Sequence, residues 1–146
     1  MSQSTELSVE LRESWAGVQL LRWKLKRIGF GSQLGGALYP HVLEDAAHSL
    51  PLLHAYSILG DALQFRADAG DFPYRLGAKG FPRLGPLFDA AKDLDWSGHR
   101  QFIGEGIARR NELAHRGECL PRFDCWRHID AIGDVLRAWG YIDAES

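Results

Sequence analysis

The chain has 146 residues, 45% of them hydrophobic and 25% charged, with a formal net charge of −2. That is the size and balance of one globular domain with its own core, which excludes a disordered tail, a disulfide-built miniprotein and a globally basic nucleic-acid binder. Any nucleic-acid site has to be a local patch. The opening MSQSTELSVE has no apolar leader, no run approaches the ~20 apolar residues of a membrane span, and the two cysteines, Cys119 and Cys125, make no disulfide framework. The expectation is a soluble, cytoplasmic protein with reduced thiols.

In chain order, residues 5–28 read as one helix. Leu7, Leu11, Val18, Leu21, Leu25 and Ile28 recur at three- and four-residue steps, with Ser14 the only polar member of the stripe, and Trp15 and Trp23 widen it. Arg22, Lys24, Lys26 and Arg27 suit its C-terminus, and Gly29 and Gly31 stop it. Residues 29–40 form a Gly-rich connection, and 41–50 a short helix or the first turns of the next. Pro51 fits the first position of a helix over 51–68, lined by Leu52, Tyr56, Leu59 and Leu63. Residues 71–83 (DFPYRLGAKGFPR) are a loop, broken by Pro73, Gly77, Gly80 and Pro82, in which aromatic residues alternate with Arg75, Lys79 and Arg83. A short helix over 85–94 leads to main helices over 98–116 and 122–139. Cys125, Ile129, Ile132, Leu136 and Trp139 mark the buried side of the last. No period-2 run or hairpin signal occurs. The fold class is all-α: a bundle of four main helices plus one or two short ones, in a single domain over 1–146 with the 71–83 loop as an insertion.

The chemistry concentrates in ARRNELAHRGE, residues 108–118. Ile103, Ile107 and Ala114 mark an apolar stripe, and Arg110 falls inside it, where a guanidinium needs a carboxylate, a subunit interface or an anionic ligand. Asp61 is a candidate carboxylate. Asn111 and His115 are neighbours four residues apart, and Glu112 precedes Arg116 in the favourable ion-pair order. His115 is the natural proton carrier of the set, since its ordinary pKa lies near neutrality. The plain alternative is an Arg held by an acid beside a surface or core His, in a small helical adaptor.

RNELAH, 110–115, resembles the R-x4-6-H signature of the HEPN superfamily, matching Arg110, Asn111 and His115. The position at the end of the penultimate main helix of an all-α chain fits as well. The resemblance implies a metal-independent endoribonuclease, a toxin or phage-defence effector that dimerises with the motif at the interface, or else a non-catalytic dimer binding RNA, a nucleotide or a partner protein. It implies that Arg110 holds the scissile phosphate, that His115 handles the 2′-hydroxyl or leaving-group proton, and that Asn111 orients substrate or imidazole. One subfamily, silenced by nucleotidylation, has a Tyr two residues after the His; Gly117 stands there instead. The partners implied are RNA, a second copy of the chain and a cognate antitoxin. No cofactor or metal is expected. Arg109, Arg116, Arg75 and Lys79 are the candidate RNA-binding cations.

Residues 110 and 115 diverge by about 140° on an ideal helix, so one copy cannot easily bring both to one phosphate; a two-fold dimer can. Two rival sites exist. His115, Cys119, Cys125 and His128 could hold zinc, although their Cys–Cys spacing is long and buried thiols are the simpler expectation. His41, Asp45 and His48 share a helical face that could ligate a metal, and are expected to form a solvated face. The 71–83 loop could stack single-stranded RNA, or Phe72 and Phe81 could simply pin it to the core.

Overall fold

The computed structural model describes residues 2–27, 40–74, 84–116 and 120–143, and the side chains of 7–27, 45–74, 84–109 and 120–143. Among these residues all regular structure is helical: α1 (Ser2–Lys26), α2 (Pro40–Asp68), α3 (Leu84–Ala90), α4 (Arg100–Arg116) and α5 (Arg122–Ala138). None of these helices is long and apolar enough to cross a membrane. The 29–39 connection and the cationic part of the 71–83 loop, with Arg75, Lys79, Phe81 and Arg83, lie outside the described residues. Phe72 is buried and Tyr74 packs partly on the core, so the start of that loop is pinned as expected.

One core joins α1, α2, α4 and α5. Leu11, Trp15 and Val18 of α1, Leu52, Tyr56, Leu59 and Leu63 of α2, Ile103 and Ile107 of α4, and Cys125, Ile129, Ile132 and Leu136 of α5 are all buried in it. α1 runs antiparallel to α2 and α5: Arg22 pairs with Asp130 at 2.6 Å, and further along Arg12 meets Asp143 at 3.5 Å. α4 is antiparallel to α5, with Phe102 stacked on His128 and His99 bonded to Asp134. α2 and α5 therefore run parallel, and they pack along their length. The C-termini of α1 and α4 and the N-termini of α2 and α5 share one end of the bundle.

Three expectations are corrected. First, Pro51 does not open a helix: 41–50 form the first turns of a continuous α2, the second of the two arrangements expected for them, and Pro40 takes the first-turn place. Pro51 cannot donate to the Ala47 carbonyl, and beside that gap the Ser49 hydroxyl donates to the Ala46 carbonyl at 2.5 Å. The proline ring is itself buried, so core packing offsets the lost bond. Second, Trp23 does not widen the buried stripe of α1. It stands eight residues after Trp15, about 80° further round the helix, and is 53% exposed. Third, Trp139 is half-buried beyond the end of α5, its indole donating to the Asp95 carbonyl at 2.6 Å.

Trp15 of α1 packs against Gly133 of α5, where a Cβ would lie 2.8 Å from Cζ2 of the fully buried indole. Gly133→Ala should gain helix propensity yet lose more to overpacking, a net cost of about 1–2 kcal/mol and a Tm lower by roughly 2–8 °C. Thermal unfolding followed by circular dichroism checks this; a Tm at or above that of the wild type would mean that the indole gives way freely.

Candidate functional site

The candidate motif occupies the last two turns of α4, which stays helical through Arg116. Arg110 stands seven residues after the buried Ile103 and three after the buried Ile107, and His115 follows five residues later on the same unbroken helix. The side chains of Arg110, Asn111, Glu112, Ala114, His115 and Arg116 lie outside the described residues, as do Gly117 and Cys119. Arg109 is exposed.

One turn before Arg110, Gly106 lets two polar side chains reach the α4 backbone. A Cβ at Gly106 would fall within 2.6 Å of Cε1 and 2.7 Å of Nδ1 of His128, and against the Tyr56 hydroxyl. His128 comes from α5 and Tyr56 from α2, so three helices converge at this glycine. The imidazole lies flat on Phe102, with centroids 4.0 Å apart and planes within 6°. Arg127 covers the same phenyl ring, its guanidinium carbon 5.1 Å from the centroid. Nδ1 of His128 is enclosed and meets no hydrogen-bond partner among the described residues. Burial holds the His128 pKa below the ordinary 6.5; Arg127 and Arg109 push the same way, while Asp124 and Glu105 oppose them. His128 is therefore a neutral buried imidazole at physiological pH.

Of the two rival metal sets, the side chains of Asp45, His48, Cys125 and His128 are described. Asp45 accepts a hydrogen bond from the backbone N–H of Arg122 at 2.9 Å, which places a carboxylate on the positive end of α5. Nδ1 of His48 accepts one from the Trp126 indole at 3.0 Å, and His48 is fully buried rather than part of a solvated face. The side chain of His41 lies outside the described residues. Cys125 is buried, with Sγ 3.7 Å from the Leu120 carbonyl, in keeping with a packed thiol. Among the described residues no group of three His, Cys, Asp or Glu side chains could hold a metal ion. Asp61 stands on the other half of α2, with Glu10 and His54. Burial first, and then Glu10, raise its pKa above the ordinary carboxylate value, while His54 lowers it.

Charge is segregated along the bundle. Lys24, Lys26 and Arg27 close α1, Arg109, Arg110 and Arg116 close α4, and Arg122 and Arg127 open α5. Glu44, Asp45, Glu105, Glu112, Asp124 and Asp130 lie among them on α2, α4 and α5, Asp130 neutralised by Arg22. Glu10, Glu13, Asp61, Asp68, Asp93 and Asp143 lie toward the opposite end. The overall charge of −2 thus hides a cationic end, and the motif helix finishes there.

His128 and Tyr56 were not singled out as polar partners of α4 from the sequence. The available signal was Gly104 and Gly106 within one turn of a helix: each costs about 1 kcal/mol against Ala and so implies a close approach. No protein-family model, no curated protein and no solved structure matches the chain.

Because the pKa of His128 lies below its unfolded value, the unfolded chain takes up this proton first as pH falls. The site is fully stable above the unfolded pKa of about 6.5, and stability drains away as pH drops from there toward the folded pKa. Thermal unfolding at a series of pH values from neutral into the mildly acidic range should show a falling Tm. The His128→Gln variant, lower in stability throughout, should show a flatter profile. Parallel profiles would remove His128 as the source of the dependence.

Proposed function

We propose that the chain is a metal-independent endoribonuclease of the HEPN type, working as a two-fold dimer with Arg110, Asn111 and His115 as its catalytic residues. One observation carries this reading. α4 runs unbroken through Arg116 to the cationic end of the bundle, so Arg110 and His115 are five residues apart on one continuous helix. A straight helix turns them about 140° from each other, and two copies facing across a two-fold axis would bring one copy's Arg to the other's His.

In this reading one His115 imidazole, acting as base, takes the proton of a ribose 2′-hydroxyl. The oxygen attacks the adjacent phosphorus and the P–O5′ bond breaks. The partner subunit's His115, as acid, protonates the departing 5′-oxygen. The products are a 2′,3′-cyclic phosphate and a 5′-hydroxyl. Arg110 stabilises the charge that grows on the phosphorane oxygens, and Asn111 orients the phosphate or the imidazole. Arg109 and Arg116 hold flanking phosphates without regard to sequence. The motif supplies a base, an acid and a cation, which is what 2′-hydroxyl attack requires. DNA lacks that nucleophile and should survive. By the same resemblance the biological setting is that of a toxin or phage-defence effector restrained by a cognate antitoxin.

End-group analysis of labelled RNA incubated with excess EDTA is the test. Cleavage should persist and leave cyclic phosphate termini. His115→Ala should lose about 10²–10⁴-fold in turnover, and Arg110→Ala a comparable factor of about 10²–10³. Activity that vanishes with EDTA, or that His115→Ala retains in full, overturns the mechanism. Dimers that bind RNA, a nucleotide or a partner protein without cleaving RNA would favour the non-catalytic member of the same class.

A further inference from the structure

Two segments far apart in the chain have the same alternating character: Trp23, Lys24, Lys26 and Arg27 at the end of α1, and Arg122, Phe123, Trp126 and Arg127 at the start of α5. The antiparallel packing of α1 on α5 brings them together. Arg22 closes on Asp130 and locks the two helices side by side. Lys26 then reaches across to Trp126, its Nζ 4.4 Å from the ring centroid. Arg27 lies over Trp23 at 4.6 Å, and Arg122 over Phe123 at 4.7 Å. Phe123 meets Trp126 edge to face at 5.0 Å.

The result is one continuous surface of rings and cations. It is open to solvent, with Trp23 53% and Phe123 57% exposed. Most surface cations in an ordinary fold can be neutralised by carboxylates. Here Lys26 and Arg27 rest on rings, with no carboxylate within ion-pair distance among the described residues. A ring holds a cation in place without cancelling its charge, so the field here stays available to an anion. Nearby Asp130 is neutralised by Arg22, and Asp124 sits in the first turn of α5 against the helix dipole.

We propose that this α1–α5 surface is a track for single-stranded RNA, with bases stacking on Trp23 and Phe123 and phosphates held by Lys26, Arg27 and Arg122. Exposed π-faces suit unpaired bases, which a duplex keeps hidden, and the retained positive charge suits the phosphates between them. The track ends where α5 begins, a short connection away from Arg116 at the end of α4. It thus deepens the ribonuclease reading by naming unpaired RNA as the form of substrate and the path by which it reaches the motif. Leu20, also exposed, extends the apolar surface by one turn of α1, which makes a protein partner the competing occupant.

The test measures binding apart from cleavage. A fluorescent oligouridylate with methylated 2′-hydroxyls, which 2′-hydroxyl attack cannot cut, is titrated with the wild-type chain across a potassium chloride series, beside a duplex of equal length. The single strand should bind and the duplex much more weakly. Trp23→Ala and Phe123→Ala should each weaken binding about tenfold, the size of one lost base–aromatic stack, with the salt slope unchanged. Arg27→Gln should lower the slope by about 0.7, one phosphate contact on a single strand. These side chains are exposed, so Tm should not move.

Equal affinity for duplex and single strand overturns the track, as does binding indifferent to all three variants. A Trp23→Ala variant that changes the molar mass by light scattering but not the affinity would assign the surface to a protein partner. Loss of cleavage with this binding intact would sink the ribonuclease reading alone, and intact cleavage without this binding would sink the track alone.

Discussion

α4 can lie as close to α2 and α5 as it does only because residue 106 has no side chain. The Tyr56 hydroxyl and the His128 imidazole occupy the space a Cβ would need. A glycine in mid-helix gives up about 1 kcal/mol of helix propensity. In exchange, a tyrosine from α2 and a histidine stacked on Phe102 from α5 seat the helix against both neighbours one turn before Arg110. Gly133 does the same for α1, receiving Trp15. These two close approaches set how α4 meets α2 and α5 and how α1 meets α5. Asp45 on the backbone N–H of Arg122, and His48 on the indole of Trp126, tie the start of α2 to the start of α5. The helix that carries 110–116 is thus seated at Gly106, one turn before Arg110, by side chains from α2 and α5.

The electrostatics follow from that topology rather than from composition. Helix C-termini favour cations, and both α1 and α4 end at this pole, so Lys24, Lys26, Arg27 and the arginines of α4 collect there. Carboxylates gather toward the other pole, where Glu10 sits close enough to Asp61 to help raise its pKa. A chain that is mildly acidic as a whole therefore presents one basic end. Among the described side chains of that end, Lys26, Arg27 and Arg127 lie over rings, whereas Arg22 is paired with Asp130.

Much of the core was legible. Leu52, Tyr56, Leu59 and Leu63, and likewise Cys125, Ile129, Ile132 and Leu136, keep the helical period closely enough to name the buried face outright. What escaped was whatever depended on a partner distant in sequence. His48 belongs to a polar-looking helical face, and only Trp126, 78 residues away, makes it a buried acceptor. Trp23 is apolar and lies near the stripe, yet a turn of about 80° from Trp15 puts it in water. Pro51 reads as a helix start because its missing donor usually matters more than the packing of its ring, and here the ring is in the core. For the site, the sequence located the motif and the helix that bears it. His128, lying against that helix from α5, was signalled only indirectly by Gly106 in α4.

In the proposed dimer two copies of the 110–115 segment build one reaction centre, since a single straight helix separates Arg110 from His115 by about 140°. Subunit mixing tests this most directly. Wild-type chain is refolded with increasing amounts of His115→Ala chain at constant total protein, and RNA cleavage is measured per wild-type chain. A shared centre predicts that this specific activity falls in proportion to the wild-type fraction, because each mixed dimer lacks either its base or its acid. Specific activity that stays constant across the series would show each chain acting alone and would rule out a shared centre.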